Sequence, residues 1–186
     1  EEVLNRQTPD VRTFLLETSI LSELTAPICN AVAGRSDAAA MLDDLDRRNL
    51  FVASLQSPTS NLQSPIYRYH ALFAEFLRAR LTQEMPGRLR DLHRCAAEAQ
   101  TDPSRAVYHY LAAEMWEPAA QTIEEIGTQL LWQGLLDTLT GWIYALPARV
   151  RETRPRLIHL LGSCAWEKGD LDEAYASLEK ALHGFE

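Results

Sequence analysis

The sequence is short of lysine and glycine, and each shortage excludes a kind of chemistry. Only two lysines occur, Lys168 and Lys180, and neither follows a glycine. A loop that cradles a nucleotide needs paired glycines followed by lysine and serine or threonine, so this chain by itself is not expected to hold ATP. Gly34-Arg35-Ser36-Asp37-Ala38 has the outline of a nucleophile elbow. It lacks the closing glycine and a preceding strand, and Ser36 reads as a helix cap. Cysteine is sparse too. Cys29, Cys95 and Cys164 are odd in number and far apart, which implies a reduced, cytoplasmic setting rather than a disulfide framework. No apolar run approaches the ~18 residues of a membrane span, and no charged-then-apolar leader precedes the first helix signal.

Basic charge is likewise scarce, the formal net charge being −8. Phosphate backbones are bound by clustered Lys and Arg, so a broad nucleic-acid surface is not expected. The five histidines, His70, His93, His109, His159 and His183, show no paired ligand spacing. His93 and Cys95, two apart on a helix, face different directions, so no metal site is expected. No constellation for catalysis is found within these residues.

What is present suffices for a sizeable core: 186 residues, 46% of them hydrophobic, form one large domain or two small ones. Thr8 before Pro9 and Asp10 starts a helix that buries Val11, Phe14, Leu15 and Thr18. Thr25 and Pro27 start a second, carrying Ile28, Ala31 and Val32 and ended by Gly34. After Ser36 and Asp37, a third helix places Ala38, Met41, Leu42 and Leu45 on one face, and Asn49 closes it. Leu50 to Gln56 reads as a strand, Ser57 to Pro65 as a proline-flanked turn, and Ile66 to Tyr69 as the returning strand. The solvent face of the third helix carries Asp43, Asp44 and Asp46 before Arg47 and Arg48, a charge order that repels phosphates.

Pro86 and Gly87 mark a domain boundary, dividing residues 1–85 from 86–186. Beyond it the pattern is helical throughout. Ile158, Leu161, Gly162, Ala165, Gly169, Ala174, Leu178 and Ala181 have the spacing of a tetratricopeptide repeat, with Gly169-Asp170 as the inter-helix turn and Asp170 as cap. Weaker copies run through Ala106, Val107, Tyr110, Ala119 and Ile123, and through Ile126, Gly127, Leu130, Gly134, Leu139 and Ile143. Repeats bury their faces against neighbours, so the last helix, Leu171 to Phe185, is expected to be followed by more of them. Trp116, Trp132, Trp142 and Trp166 read either as core or as the lining of a concave groove. Together with the opening on Glu1, these features lead us to expect a piece of a longer protein.

Between the two patterns lies the stretch from Ile66 to Leu81. The period changes at His70, from the alternation of Tyr67, Arg68 and Tyr69 to the helical spacing of Leu72, Phe73, Phe76, Leu77 and Leu81. A histidine at such a junction can point outside its own element. Arg68, Arg78 and Arg80 flank it as candidate interdomain contacts, with an i,i+3 pair from Glu75 to Arg78 available.

Tyr-Arg-Tyr-His-x-Leu-Phe-x-x-Phe-Leu-Arg-x-Arg-Leu, at Tyr67 to Leu81, resembles the segment closing the winged-helix domain of the MalT-like, LuxR-type transcriptional regulators, members of the signal-transducing NTPases. The resemblance implies a mainly α fold: a winged helix with a small β-hairpin, then a TPR-like helical array. It places His70 where the wider class contacts the phosphates of ADP, although Ala71 stands where plant members carry aspartate. It implies ATP or ADP in the full-length protein and no cofactor within the piece. It also implies an NTPase domain upstream, further repeats and a DNA-binding helix-turn-helix downstream, and a small-molecule or protein inducer. The piece would then relay state between neighbours, touching neither DNA nor membrane. The rival reading is a helical-repeat adaptor that binds a peptide or protein without nucleotide.

Overall fold

The computed structural model describes residue 4 and residues 6–49, 52–54 and 65–185. Helix α1 (Pro9–Thr18) starts as the proline and acid dictate: Thr8 Oγ1 accepts from the Val11 N–H, and Val11, Phe14, Leu15 and Thr18 are buried. Helix α2 (Ala26–Ala33) ends at Gly34, whose φ of 63° is the left-handed conformation that glycine takes without a Cβ penalty. Ile28, Cys29 and Val32 are its buried residues. Ala31, expected on that face, is exposed, because the turn of the helix brings Cys29 inward instead.

Helix α3 (Ala38–Arg47) buries Ala38, Leu42 and Leu45. Its cap differs from expectation. Asp37 occupies the N-cap without a side-chain bond to the helix, since Arg35 engages both its oxygens at 2.8 Å. The Ala38 N–H instead donates to Asn30 Oδ1 of α2 at 2.9 Å. One residue therefore serves both helix ends, the Asn30 backbone carbonyl accepting from Gly34 and Arg35 at the close of α2 and its side chain accepting at the start of α3. Asn49, at φ 48°, closes the helix.

Strands β1 (Val52–Ser54) and β2 (Tyr67–Tyr69) pair antiparallel, Val52 opposite Tyr69 and Ser54 opposite Tyr67. The rest of the expected strand and the expected turn over 57–64 lie outside the described residues. A third segment, invisible to the periodicity, joins the sheet: Leu24 and Tyr67 exchange N–H to carbonyl bonds of 2.7 and 2.9 Å. Helix α4 (Ala71–Glu84) follows, then a 3₁₀ turn at Pro86–Arg88 and helix α5 (Leu89–Ala99). The order of three helices, hairpin and closing helix is that of a winged helix. Its core gathers Phe14, Leu15, Leu24, Leu42, Leu45, Leu77, Leu81 and Leu92, each such side chain stabilising by ~1.5–3 kcal/mol.

The chain divides into two compact units, Glu1–Gln100 and Thr101–Glu186. Pro86 and Gly87 thus form a turn inside the first unit, because α5 packs on α2 and contributes Leu92 and Ala96 to the same core.

The second unit is all helical among the described residues: α6 (Pro103–Ala112), α7 (Trp116–Trp132), α8 (Leu136–Ala145), a short α9 (Ala148–Arg151), α10 (Pro155–Lys168) and α11 (Leu171–Phe185). Successive hairpins turn on left-handed residues at Glu114, Gly134 and Gly169. Helix α7 serves both as the return helix of α6 and as the partner of α8, which explains the uneven spacing of the repeat signals. At the α10–α11 contact Gly162, Ala165, Ala174 and Ala181 are all buried, so small residues do mark the close approach. Arg154, ahead of α10, ties it to α7 through Glu124 at 2.9 Å and Glu117 at 2.5 Å. Among the described residues no helix is long and apolar enough to cross a membrane.

Candidate functional site

Strand alternation sends Tyr67 and Tyr69 into the first unit and Arg68 out of it. The Tyr67 hydroxyl donates to Asp43 of α3. Tyr69 and Thr18 of α1 lie 2.7 Å apart, both buried. Thr18 gives its own proton to the Phe14 carbonyl at 2.6 Å, so Tyr69 is the donor to Thr18 Oγ1. The Tyr67 phenol is pushed up to about 12, first by burial and then by its bond to Asp43. Burial raises Tyr69 further. The tyrosines therefore stay neutral and fasten β2 to two different helices. Tyr69 also meets Phe73 edge-on at 6.0 Å, and Phe73 stacks with Phe76 at 6.3 Å, which carries the fixed strand into α4.

His70 follows this clamp as the N-cap of α4, with φ −58° and ψ 136°. Its carbonyl accepts from Phe73 and Ala74, both at 2.9 Å. Its ring is exposed and makes no cap bond. A serine or aspartate there would turn its side chain back onto the first-turn N–H groups; histidine leaves the positive end of a 14-residue helix open beside an imidazole. Helix N-termini attract anions through those N–H groups and the dipole. The junction can therefore recognise an anion presented from outside the unit.

The flanking residues sort by what they touch. Arg68 pairs with Glu23 at 3.2 Å. Arg80 Nε lies 3.0 Å from Glu84, whose carboxylate also takes Arg12 of α1 at 2.7 Å. Both arginines are thus engaged inside the unit. Arg78 is exposed, and the available pair with Glu75 is not formed; its guanidinium is in no ion pair among the described residues. Leu72, expected on the buried stripe of α4, is 72% exposed, while Ala74 takes the inward position. A second link fastens α1 to the 3₁₀ turn: Arg88 reaches Glu17 at 2.7 Å. On α3, Arg48 turns back to Asp44 at 3.0 Å and to Gln7 at 2.8 Å, so its charge is spent within the unit.

In the second unit Trp116 and Trp142 pack against the core, whereas Trp132 and Trp166 are exposed. Among the described residues no cluster of three His, Cys, Asp or Glu side chains has metal-ligating geometry.

Comparison with known proteins gives these features a family. Residues 1–89 match the model of the MalT winged helix domain. Over 184 residues, 97% of the chain, the sequence is 31% identical to an HTH-type transcriptional regulator MalT from Vibrio cholerae. A MalT from Cronobacter sakazakii is 33% identical over 168 residues, 86% of the chain. A serine/threonine-protein kinase PknK from Mycobacterium tuberculosis is 31% identical over 160 residues, 84% of the chain. The chain spans about a fifth of the length of the MalT relatives, 20% and 18%, and 14% of the kinase. A winged helix closed by the Tyr67-to-Leu81 segment, and similarity that continues through the helical repeats, agree on one assignment: residues 1–89 belong to the MalT winged helix domain family, and the chain is a MalT-like segment.

Proposed function

We propose that this segment is a relay inside an ATP-dependent, LuxR-type transcriptional regulator of the cytoplasm, coupling an upstream nucleotide-binding domain to a helical-repeat sensor. The observation that carries the reading is the clamped junction. Tyr67 and Tyr69 hold β2 against α3 and α1, and directly after them an exposed imidazole stands at an open helix start. An ADP phosphate offered by the upstream domain meets a hydrogen-bond donor and a favourable dipole there. Contact with one nucleotide state biases the unit's position, and a ligand shifts a two-state equilibrium only by such differential contact.

Two further points support this reading. The same stretch is shared with proteins named as a transcriptional regulator and as a kinase, which suits a part that transmits state and leaves the output to others. The acidic face of α3, with Arg48 turned onto Asp44, suits an internal role rather than contact with DNA.

The test is His70→Ala in the full-length protein. A charge-assisted hydrogen bond contributes ~1.5–3 kcal/mol, so ADP should dissociate about 10–100-fold faster and inducer-independent activity should rise. An unchanged ADP dissociation rate removes His70 from the site.

A further inference from the structure

The second unit carries a groove that the relay does not use. Helices α7 and α10 pack tightly where Gly127 faces Leu160; a Cβ on Gly127 would stand 2.4 Å from Leu160 Cδ1. Beyond that contact they leave an open groove of about 470 Å³, lined by Thr128, Leu131 and Trp132 of α7 and by His159, Ser163 and Glu167 of α10. The residues fall at i, i+3, i+4 on one helix and at i, i+4, i+8 on the other, so each set occupies a single face.

Trp132 is 88% exposed. Leaving an indole in water forgoes the largest hydrophobic gain available to a side chain, and packing within the unit offers no reason for it. Three of the groups lining the groove, Ser163, Glu167 and the indole itself, are electron-rich. The Ser163 hydroxyl proton is given to the His159 carbonyl at 3.0 Å, which leaves Ser163 Oγ as an acceptor. Glu167 adds a carboxylate, and the indole face is the negative side of the ring quadrupole. Lys168, next in sequence to Glu167, is drawn away to Asp137 at 2.6 Å. No lysine or arginine lines the groove among the described residues. Across residues 101–186 there are 13 acidic side chains against seven basic ones, so the surrounding field also favours a cation.

We propose that this groove binds an arginine side chain of a basic peptide segment, its guanidinium stacked on Trp132 and hydrogen-bonded to Glu167 and Ser163. Arginine fits better than lysine because a planar guanidinium stacks on an indole while its in-plane N–H groups reach a carboxylate. The inference stands apart from the nucleotide relay and does not depend on His70.

Its test uses the chain labelled with ¹⁵N and the peptide acetyl-Gly-Arg-Gly-Arg-Gly-amide, titrated to about 10 mM while the indole N–H resonances are followed. The expected result is a saturable shift of the Trp132 resonance, assigned through Trp132→Phe, with Trp116 and Trp142 unmoved. Glu167→Gln, an exposed change that leaves the fold intact, should weaken binding by about fivefold or more. The same peptide with citrulline for arginine should give no saturable shift. A motionless Trp132 resonance overturns the proposal. So does an equal response to the citrulline peptide, which would mark the groove as a site for neutral ligands.

Discussion

Glycine to alanine, made at two helical positions of the second unit, should have opposite signs. In α10 a Cβ on Gly162 would stand 2.8 Å from Leu178 Cγ and 3.2 Å from the Leu178 backbone nitrogen. A side-chain tip can turn aside, but the backbone of α11 cannot move without shifting the whole helix, so overpacking costs ~1–3 kcal/mol. Alanine recovers only ~0.5–1 kcal/mol of helix propensity, leaving Gly162→Ala destabilising by about 1–2 kcal/mol. Gly141 in α8 is exposed and has nothing within 4 Å of its virtual Cβ, so Gly141→Ala gains the propensity alone. The two variants should therefore differ by about 2 kcal/mol, or roughly 8–16 °C in melting temperature for a unit of this size. All four tryptophans, Trp116, Trp132, Trp142 and Trp166, lie in Thr101–Glu186. Intrinsic fluorescence during thermal or urea unfolding therefore reports this unit selectively. If Gly162→Ala melts with or above the parent chain, the close approach of α10 and α11 is refuted and the repeat assignment loses its physical basis.

Three further outcomes follow from the first unit and the thiols. Because the folded pKa of Tyr67 lies near 12, above the ~10 of an unfolded tyrosine, its share of stability is full below pH 10. It is lost as the pH rises toward 12. Tyr67→Phe should flatten that decline in far-ultraviolet circular dichroism while costing about 1 kcal/mol at neutral pH for the lost hydrogen bond; an unchanged alkaline slope counts against the clamp. Arg88→Ala strands Glu17, only 5% exposed, and should destabilise by about 1–2 kcal/mol, less than a fully buried pair because Arg88 is itself half exposed. Arg12→Ala, at a more accessible pair, should cost about 0.5 kcal/mol, and the reverse ranking in urea unfolding would contradict the burial argument. Burial pushes the Cys29 thiol up to about 12 and also raises Cys164, whereas Cys95 is half-buried. Ellman's reagent should therefore titrate one thiol in the native chain and all three in denaturant; fast native reaction of Cys29 would show the α2 core to be open.

How much was legible depends on how local each signal is. Thr8-Pro9-Asp10 and Gly34 announced a helix start and a helix stop because caps act within one turn. The alternation of Tyr67, Arg68 and Tyr69 announced a strand with one buried and one exposed face. Gly162, Ala165, Ala174 and Ala181 announced a close helix pair because small residues at that spacing have little other use. Other features rest on partners distant in the chain. Asn30 replaced the expected cap of α3 because a neighbouring helix end put its amide within reach. Leu24 joined the sheet through backbone groups, which leave no trace in side-chain periodicity. Leu72 was misplaced on the buried stripe because a helical stripe about 100° wide admits a neighbour at its edge, and only the packed neighbours decide which residue turns inward. The boundary at Pro86 and Gly87 marked a true break in helicity, but a break in helicity is not a break in the core, and Leu92 carries that core on to Gln100.

The candidate site divides the same way. His70 stood out because the period of the pattern changes there, a fact of sequence alone. That Arg68 and Arg80 are turned to Glu23 and Glu84, while Arg78 is not, required the fold, since charged side chains choose partners by proximity and nothing in their spacing names a carboxylate 45 residues away. The sequence by itself determined the order of elements, the small-residue contact of the last helix pair and the position of the histidine, because propensity, capping and periodicity act within a turn or two of chain. Tertiary structure alone decided that two tyrosines lock the strand beneath that histidine and that Trp132 faces water, because burial and hydrogen-bond partnership are properties of packed neighbours.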